Sequence, residues 1–169
     1  MTTKIGLTTT KDGVADLLKA IKGLTKKEVL IGVPMESSER QPEEGESVAP
    51  TNAEIGYWME YGVPEQNIPA RPFLQPGVRN ALDDVTKIMA AGMKKTLAGD
   101  KEAADTTLNR VGLIGQGAVQ QKITNGPFKE LSEVTLERRR YKGRTGEKPL
   151  LDTGALRQSI TYAVRPKGE

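Results

Sequence analysis

The stretch Asn67-Ile68-Pro69-Ala70-Arg71-Pro72-Phe73-Leu74-Gln75-Pro76-Gly77 constrains this chain more than any other. It holds three prolines in eleven residues. Proline fixes φ and lacks an N–H, so the segment cannot lie inside a helix or a central strand. Yet Ile68, Phe73 and Leu74 favour burial. A stiff, apolar segment with one arginine is a poor linker. It is read either as a fixed crossover within the fold or as a surface held rigid for a partner, where the prolines lower the entropy lost on docking. Tyr61, Ile68, Pro69, Arg71, Pro72 and Phe73 are therefore the candidate interface residues. Arg71 is expected to form an ion pair, within the fold or with a neighbouring subunit.

Helix and strand signals surround this segment. Asp12 is a good N-cap for Val14, Leu17, Leu18 and Ile21, with Gly23 at the end, which predicts an amphipathic helix. Glu28 to Val33 reads as a buried strand stopped by Pro34. Five glutamates (Glu36, Glu39, Glu43, Glu44, Glu46) mark 35–50 as a flexible acidic loop. Thr51 and Glu54 form a capping box that opens a helix carrying Ile55, Trp58 and Met59 on one side and ending at Gly62. Pro76 is expected to start a long helix with the stripe Val78, Leu82, Val85, Met89, Met93, closed by Gly99. Asp100 caps a second long helix with Leu108, Val111, Gly115, Val119 and Ile123 on one face, stopped at Asn125-Gly126-Pro127. Ser132 caps a shorter helix through Arg140, and 138–148 reads as an exposed basic loop. Asp152 to Leu156 makes a turn in which Asp152 is the expected cap. Ser159 to Arg165 is a final half-buried strand through Ile160, Tyr162 and Val164. The predicted fold class is α+β: a small, mostly antiparallel sheet packed against two long helices and shorter ones, in one domain over 1–169.

The composition narrows the function. Of 169 residues none is Cys and none is His. Disulfides and thiolate metal sites are thereby excluded, and so are the usual general base and the near-neutral pH switch. With 25 basic against 22 acidic residues the formal net charge is +3 and the pI about 9.1, a mild excess for a dedicated nucleic-acid binder. No apolar run spans a membrane, and no signal-peptide core opens the chain. No enzyme, cofactor or metal is expected.

The remaining motifs weigh toward structure. Asp152-Thr153-Gly154 matches the aspartic-protease triplet, but that chemistry needs two such carboxylates sharing a proton, and a turn holding Leu156 is the preferred reading. Gly112 to Gly117 has the glycine spacing of a phosphate or GxxG loop. It lies within a helical period without a preceding strand, so close packing is preferred. Arg138, Arg139, Arg140, Lys142 and Arg144, with Tyr141, can contact nucleic acid; a solvated basic loop is the plainer reading. The glutamates at 43, 44 and 46 are read as solvated rather than cation-binding.

Three blocks together are more informative: Glu60-Tyr61-Gly62; Ile68 to Leu74; and Leu151-Asp152-Thr153-Gly154-Ala155-Leu156-Arg157-Gln158-Ser159-Ile160. In this order and spacing they resemble the neck and tail-completion proteins of tailed bacteriophages, also called virion morphogenesis or head–tail joining proteins. Ala53-Glu54-Ile55-Gly56 and Leu131-Ser132-Glu133-Val134-Thr135 resemble the same family, and the likeness covers roughly 26–166. The acidic 35–50 stretch and Glu137-Arg138-Arg139-Arg140 depart from its pattern. The resemblance implies a non-enzymatic virion subunit, assembled in the host cytoplasm. It would form a ring, hexameric or, if matched to the portal, dodecameric. Its partners would be the head connector and the tail-terminator or tail-tube proteins, with genomic DNA passing through the lumen and no membrane involved. The alternative is a small basic nucleic-acid-binding protein using 138–144.

Overall fold

The structure, a computed structural model, describes residues 14–35, 39, 42 and 49–168. Asp12 and positions 36–38, 40–41 and 43–48 of the acidic stretch lie outside the described residues. The elements run α1 (Val14–Thr25), β1 (Lys27–Gly32), α2 (Asn52–Tyr61), α3 (Leu74–Asn80), α4 (Leu82–Leu97), α5 (Ala103–Asn125), α6 (Glu133–Tyr141), α7 (Ala155–Ser159) and β2 (Thr161–Pro166). A single turn of 3-10 helix, Pro64–Gln66, follows α2. The α+β class predicted from sequence is the class observed.

The two strands pair antiparallel, with Ile31 opposite Tyr162 and Glu28 opposite Arg165. Paired residues share a face, so Ile31 and Tyr162 turn together onto α5. They settle over its glycines: a Cβ on Gly115 would fall on the Ile31 side chain, and one on Gly112 would fall on the Tyr162 ring. Gly112 and Gly115 are thus a packing surface for the sheet, while Gly117 meets nothing within 4 Å. On the opposite face Arg165 Nε donates to Glu28 Oε1 at 2.9 Å. Leu30 also lies on that outer face and is 39% exposed, which corrects the expectation of a buried strand. A two-stranded sheet against one helix buries one face only.

The 23-residue α5 is the axis of the molecule. It packs against α3, α4 and both strands, and Leu108, Val111, Gly115, Val119 and Ile123 are all buried along it, as predicted. Asp100 Oδ1 accepts from the N–H groups of Glu102 and Ala103 and so starts it. Phe73, Val119, Ile123, Leu156 and Ile160 form the core cluster.

Two helical expectations need correction. The helix predicted to begin at Pro76 begins at Leu74 and is divided: α3 ends at Asn80 and α4 starts at Leu82. The divide lets α3 lie close on α5 at Gly77, where a Cβ would sit 2.7 Å from Val119 Cα, while α4 takes its own path along α5. Leu18 and Ile21 of α1, and Leu82 and Met93 of α4, are more than a third exposed, so those parts of the expected apolar stripes are not sealed.

Helical Gly→Ala normally stabilises by up to about 1 kcal/mol. At Gly77 the new methyl meets backbone, and overpacking costs about 1–3 kcal/mol. Gly77→Ala is therefore expected to lower stability in urea unfolding. Gly117→Ala, on α5 and with nothing within 4 Å, is expected to raise it. The same sign for both would refute the close α3–α5 crossing.

Candidate functional site

The proline segment begins where α2 ends. Thr51 and Glu54 form the predicted capping box: Thr51 Oγ1 accepts from Glu54 N, and Glu54 Oε2 accepts from Thr51 N at 2.8 Å. At the other end Gly62 takes φ 78° and donates to Trp58 O at 2.8 Å. A side chain is barred there, because a Cβ would lie 2.8 Å from Ala70 N. Val63 and Ile68 close a small bridge, and Arg71 N donates to Met59 O at 2.6 Å. The chain thus folds back alongside α2.

Glu60 then anchors the segment. Its carboxylate is buried and accepts from the N–H groups of Phe73 (2.7 Å), Leu74 (2.8 Å) and Gln75 (3.1 Å). Pro76 has no N–H, and Gly77 N already donates to Phe73 O at 2.9 Å. Every amide at the start of α3 is thereby satisfied. Sequence reasoning did not assign this role to Glu60. One signal was present: an acidic residue in the last turn of a helix opposes the macrodipole, and α2 has no basic residue there to offset it.

Arg71 and Arg139 do not act as surface cations. Arg71 donates from Nε to Lys129 O (2.7 Å) and from Nη2 to Glu130 O (2.8 Å), tying the proline segment to the loop between α5 and α6. Its partners are carbonyls of its own chain, not the carboxylate expected. Burial, and then the like charge of Arg139, pull its proton affinity below the usual arginine value. Arg139 Nη1 donates to the carbonyls of Gly146, Lys148 and Leu151. Its Nε lies 3.4 Å from Asp152 Oδ1, and Arg144 Nη1 lies 2.6 Å from Asp152 Oδ2. The 138–148 stretch is exposed, as predicted, apart from half-buried Arg144 and Arg139, whose guanidinium is buried beneath it. Asp152 is an ion-pair partner rather than the turn's cap; Thr153 Oγ1 takes that part, accepting from Ala155 N. Gly154 enters α7 at φ 81°, and Leu156 is buried as expected.

These contacts enclose an open groove of about 1020 Å³. One wall carries Ile68, Pro69 and Arg71, a second Leu131, Ser132, Thr135 and Arg139, and a third Asp152 to Leu156. Blocks some eighty residues apart in sequence thus share one cleft. Asn52, Ile55 and Met59 complete it from α2. Leu150 lines the same cleft and holds a left-handed φ of 63°, a strained conformation for a bulky residue.

Of the candidate interface residues, Phe73 (2% exposed) and Arg71 (6%) belong to the chain's own interior, which corrects their reading as presented contact residues. Ile68 and Pro69 are half-buried in the groove wall, while Pro72 and Tyr61 are exposed. Tyr61 pairs with Tyr57, equally exposed, with ring centroids 4.9 Å apart. Among the candidate nucleic-acid contacts, Arg138, Arg140 and Lys142 are exposed, Arg144 is half-buried, and Arg139 is buried. Arg140 also bonds Glu133 at 2.9 Å. Among the described residues no group of three or more acidic side chains could hold a metal ion, and no helix is long and apolar enough to cross a membrane. Comparison with known protein families, curated proteins and solved structures finds no match.

Glu60→Ala is expected to destabilise by about 2–4 kcal/mol, since each buried donor left unpaired costs about 1–3 kcal/mol. Glu60→Gln, which keeps one carbonyl oxygen, should lose less. Chemical denaturation measures both, and an unchanged midpoint for Glu60→Ala would refute the anchor.

The capping box gives a pH prediction. The hydrogen bonds from Thr51 N–H and Oγ1–H hold the Glu54 carboxyl below its ordinary value. Its stabilisation is therefore fully present above the unfolded value of about 4.3 and is lost as pH falls through the lowered folded value. Melting temperature against pH should show a shallower acid limb in Glu54→Gln. Identical acid limbs would refute it.

Proposed function

We propose that this chain is a structural subunit of a tailed-phage neck, forming a ring that joins the head connector to the tail or completes the tail. The observation that supports this reading is the convergence of two of the three resembling blocks, Ile68 to Leu74 and Leu151 to Ile160, on one groove. Their order and spacing follow from a single fold, as shared family motifs require, whereas chance matches would carry no such constraint. On this reading the protein resides in the virion neck and meets its own copies, the head connector and tail-terminator or tail-tube proteins, with DNA passing through the lumen. Since Arg71 and Phe73 serve the fold, subunit contact falls to the outward side of the same region: Tyr57, Tyr61 and Pro72. An exposed aromatic pair is costly to leave in water and is favoured at protein interfaces.

The test is Tyr61→Asp in a tailed phage that carries this chain as its neck subunit. Surface substitutions shift stability by about 0.5 kcal/mol or less, so the variant should fold and melt as the parent does. Unjoined heads and tails, or incomplete tails, should accumulate. Normal particle yield would overturn the contact assignment.

One observation favours a second reading, nucleic-acid binding. Tyr141 is 93% exposed at the end of α6 beside Arg138, Arg140 and Lys142, an arrangement suited to base stacking and phosphate contact. Steep salt dependence in single-stranded DNA binding, lost in Tyr141→Ala, would favour it over the ring.

A further inference from the structure

Three polar side chains in the groove have bonding capacity that the fold does not use. Arg71, Arg139 and Asn52 are 6%, 8% and 7% exposed, and all three line the groove. Arg71 employs Nε and Nη2, leaving Nη1 without a protein partner. Arg139 employs Nη1 and Nε, leaving Nη2. Among the described residues the Asn52 side-chain amide has no hydrogen-bond partner. Among the described residues, however, no side-chain nitrogen or oxygen is both sealed from solvent and unpartnered. These three groups therefore open to solvent, and the groove is the space they line.

The charge there is unbalanced. Arg71 and Arg139 repel one another, and the nearby carboxylate, Asp152, is divided between Arg139 and Arg144. Lys129 and Glu130, also on the rim, offset each other. Nearly buried guanidinium groups lose hydration, which makes a charged acceptor valuable to them. Ile55, Met59, Phe128 and Leu156 give the same groove apolar walls, which a small inorganic anion would leave unfilled.

We propose that this groove docks an extended peptide segment of a partner protein, whose Asp or Glu carboxylate bonds Arg71 and Arg139 while flanking aliphatic side chains lie on the apolar walls. Guanidinium N–H groups match a carboxylate in geometry and charge. The Asn52 amide, with both a donor and an acceptor, suits the peptide's backbone. The assignment goes beyond ring formation and does not depend on it.

Side-chain NMR of Arg71 and Arg139 tests it, titrating the full chain with acetyl-Ala-Leu-Glu-Leu-Ala-amide. The glutamine analogue and inorganic phosphate serve as separate arms. Saturable shifts at both arginines are expected, with the glutamate peptide binding at least about tenfold more tightly than the glutamine one, as charge-assisted bonds require. Equal response to both peptides, or none to either, overturns the proposal. Shifts with phosphate but not with the glutamate peptide overturn the peptide assignment in favour of a bare anion site. Substituting either arginine threatens the fold, so Asn52→Ala is the companion variant, since it removes no intrachain hydrogen bond. It should melt as the parent does and bind the glutamate peptide about fivefold more weakly; unchanged binding would overturn the groove assignment.

Discussion

The Glu60 carboxylate is the joint on which the rest depends. A chain leaving α2 at Gly62 must reverse, run through Pro69 and Pro72, and enter a helix at Leu74 with its first amides buried. Those amides have no intrahelical partner, and neither Phe73 nor its neighbours offer a capping oxygen. A carboxylate supplied from α2 accepts all of them. The positive end of α3 is thereby held against the chain segment that precedes it. With α3 fixed, Gly77 can lie on Val119, Phe73 enters the core, and α5 receives its second layer.

Guanidinium groups do comparable work where regular structure runs out. The 126–132 and 142–152 segments have few backbone hydrogen bonds of their own among the described residues. Carbonyl groups in such segments need donors if they are to be buried. Arg71 supplies them to Lys129 and Glu130, and Arg139 supplies them to Gly146, Lys148 and Leu151. Each arginine binds a loop to a helix or to the proline segment. The groove between them is a by-product of that division of labour, and their remaining N–H groups give it its chemistry.

Local rules made much of this legible. Thr51 with Glu54, Ser132, and the Asn125-Gly126-Pro127 stop act over a few residues, and all appear where the sequence places them. The pairing of β1 with β2 followed from two distant apolar segments that needed partners. What escaped depends on tertiary geometry. The break at Ala81 has no glycine or proline to announce it; it arises because α3 must meet α5 at Gly77. Arg139 sits among other basic residues, and sequence alone does not tell which of Arg138, Arg139 and Arg140 turns inward. Asn52 follows a strong cap, which made it look incidental. The likeness of the three blocks to a family carried their order and spacing but not their physical relation, which is that Ile68 to Arg71 and Asp152 to Leu156 wall one groove while Glu60 anchors the segment between them.

The proline segment also shows why its two readings divide rather than compete. From Arg71 to Phe73 exposure alternates: Arg71 buried, Pro72 exposed, Phe73 buried. That is the period of an extended chain, whose successive side chains point to opposite sides. A segment held this way divides its side chains between an inner and an outer side. Arg71 and Phe73 are committed inward by guanidinium–carbonyl bonds and by the core cluster. The opposite side, at Pro72, is exposed, while Arg71 keeps Nη1 for the groove. The inward contacts fix the backbone, so the outward residues hold a set position, and a partner docking there would meet little ordering cost.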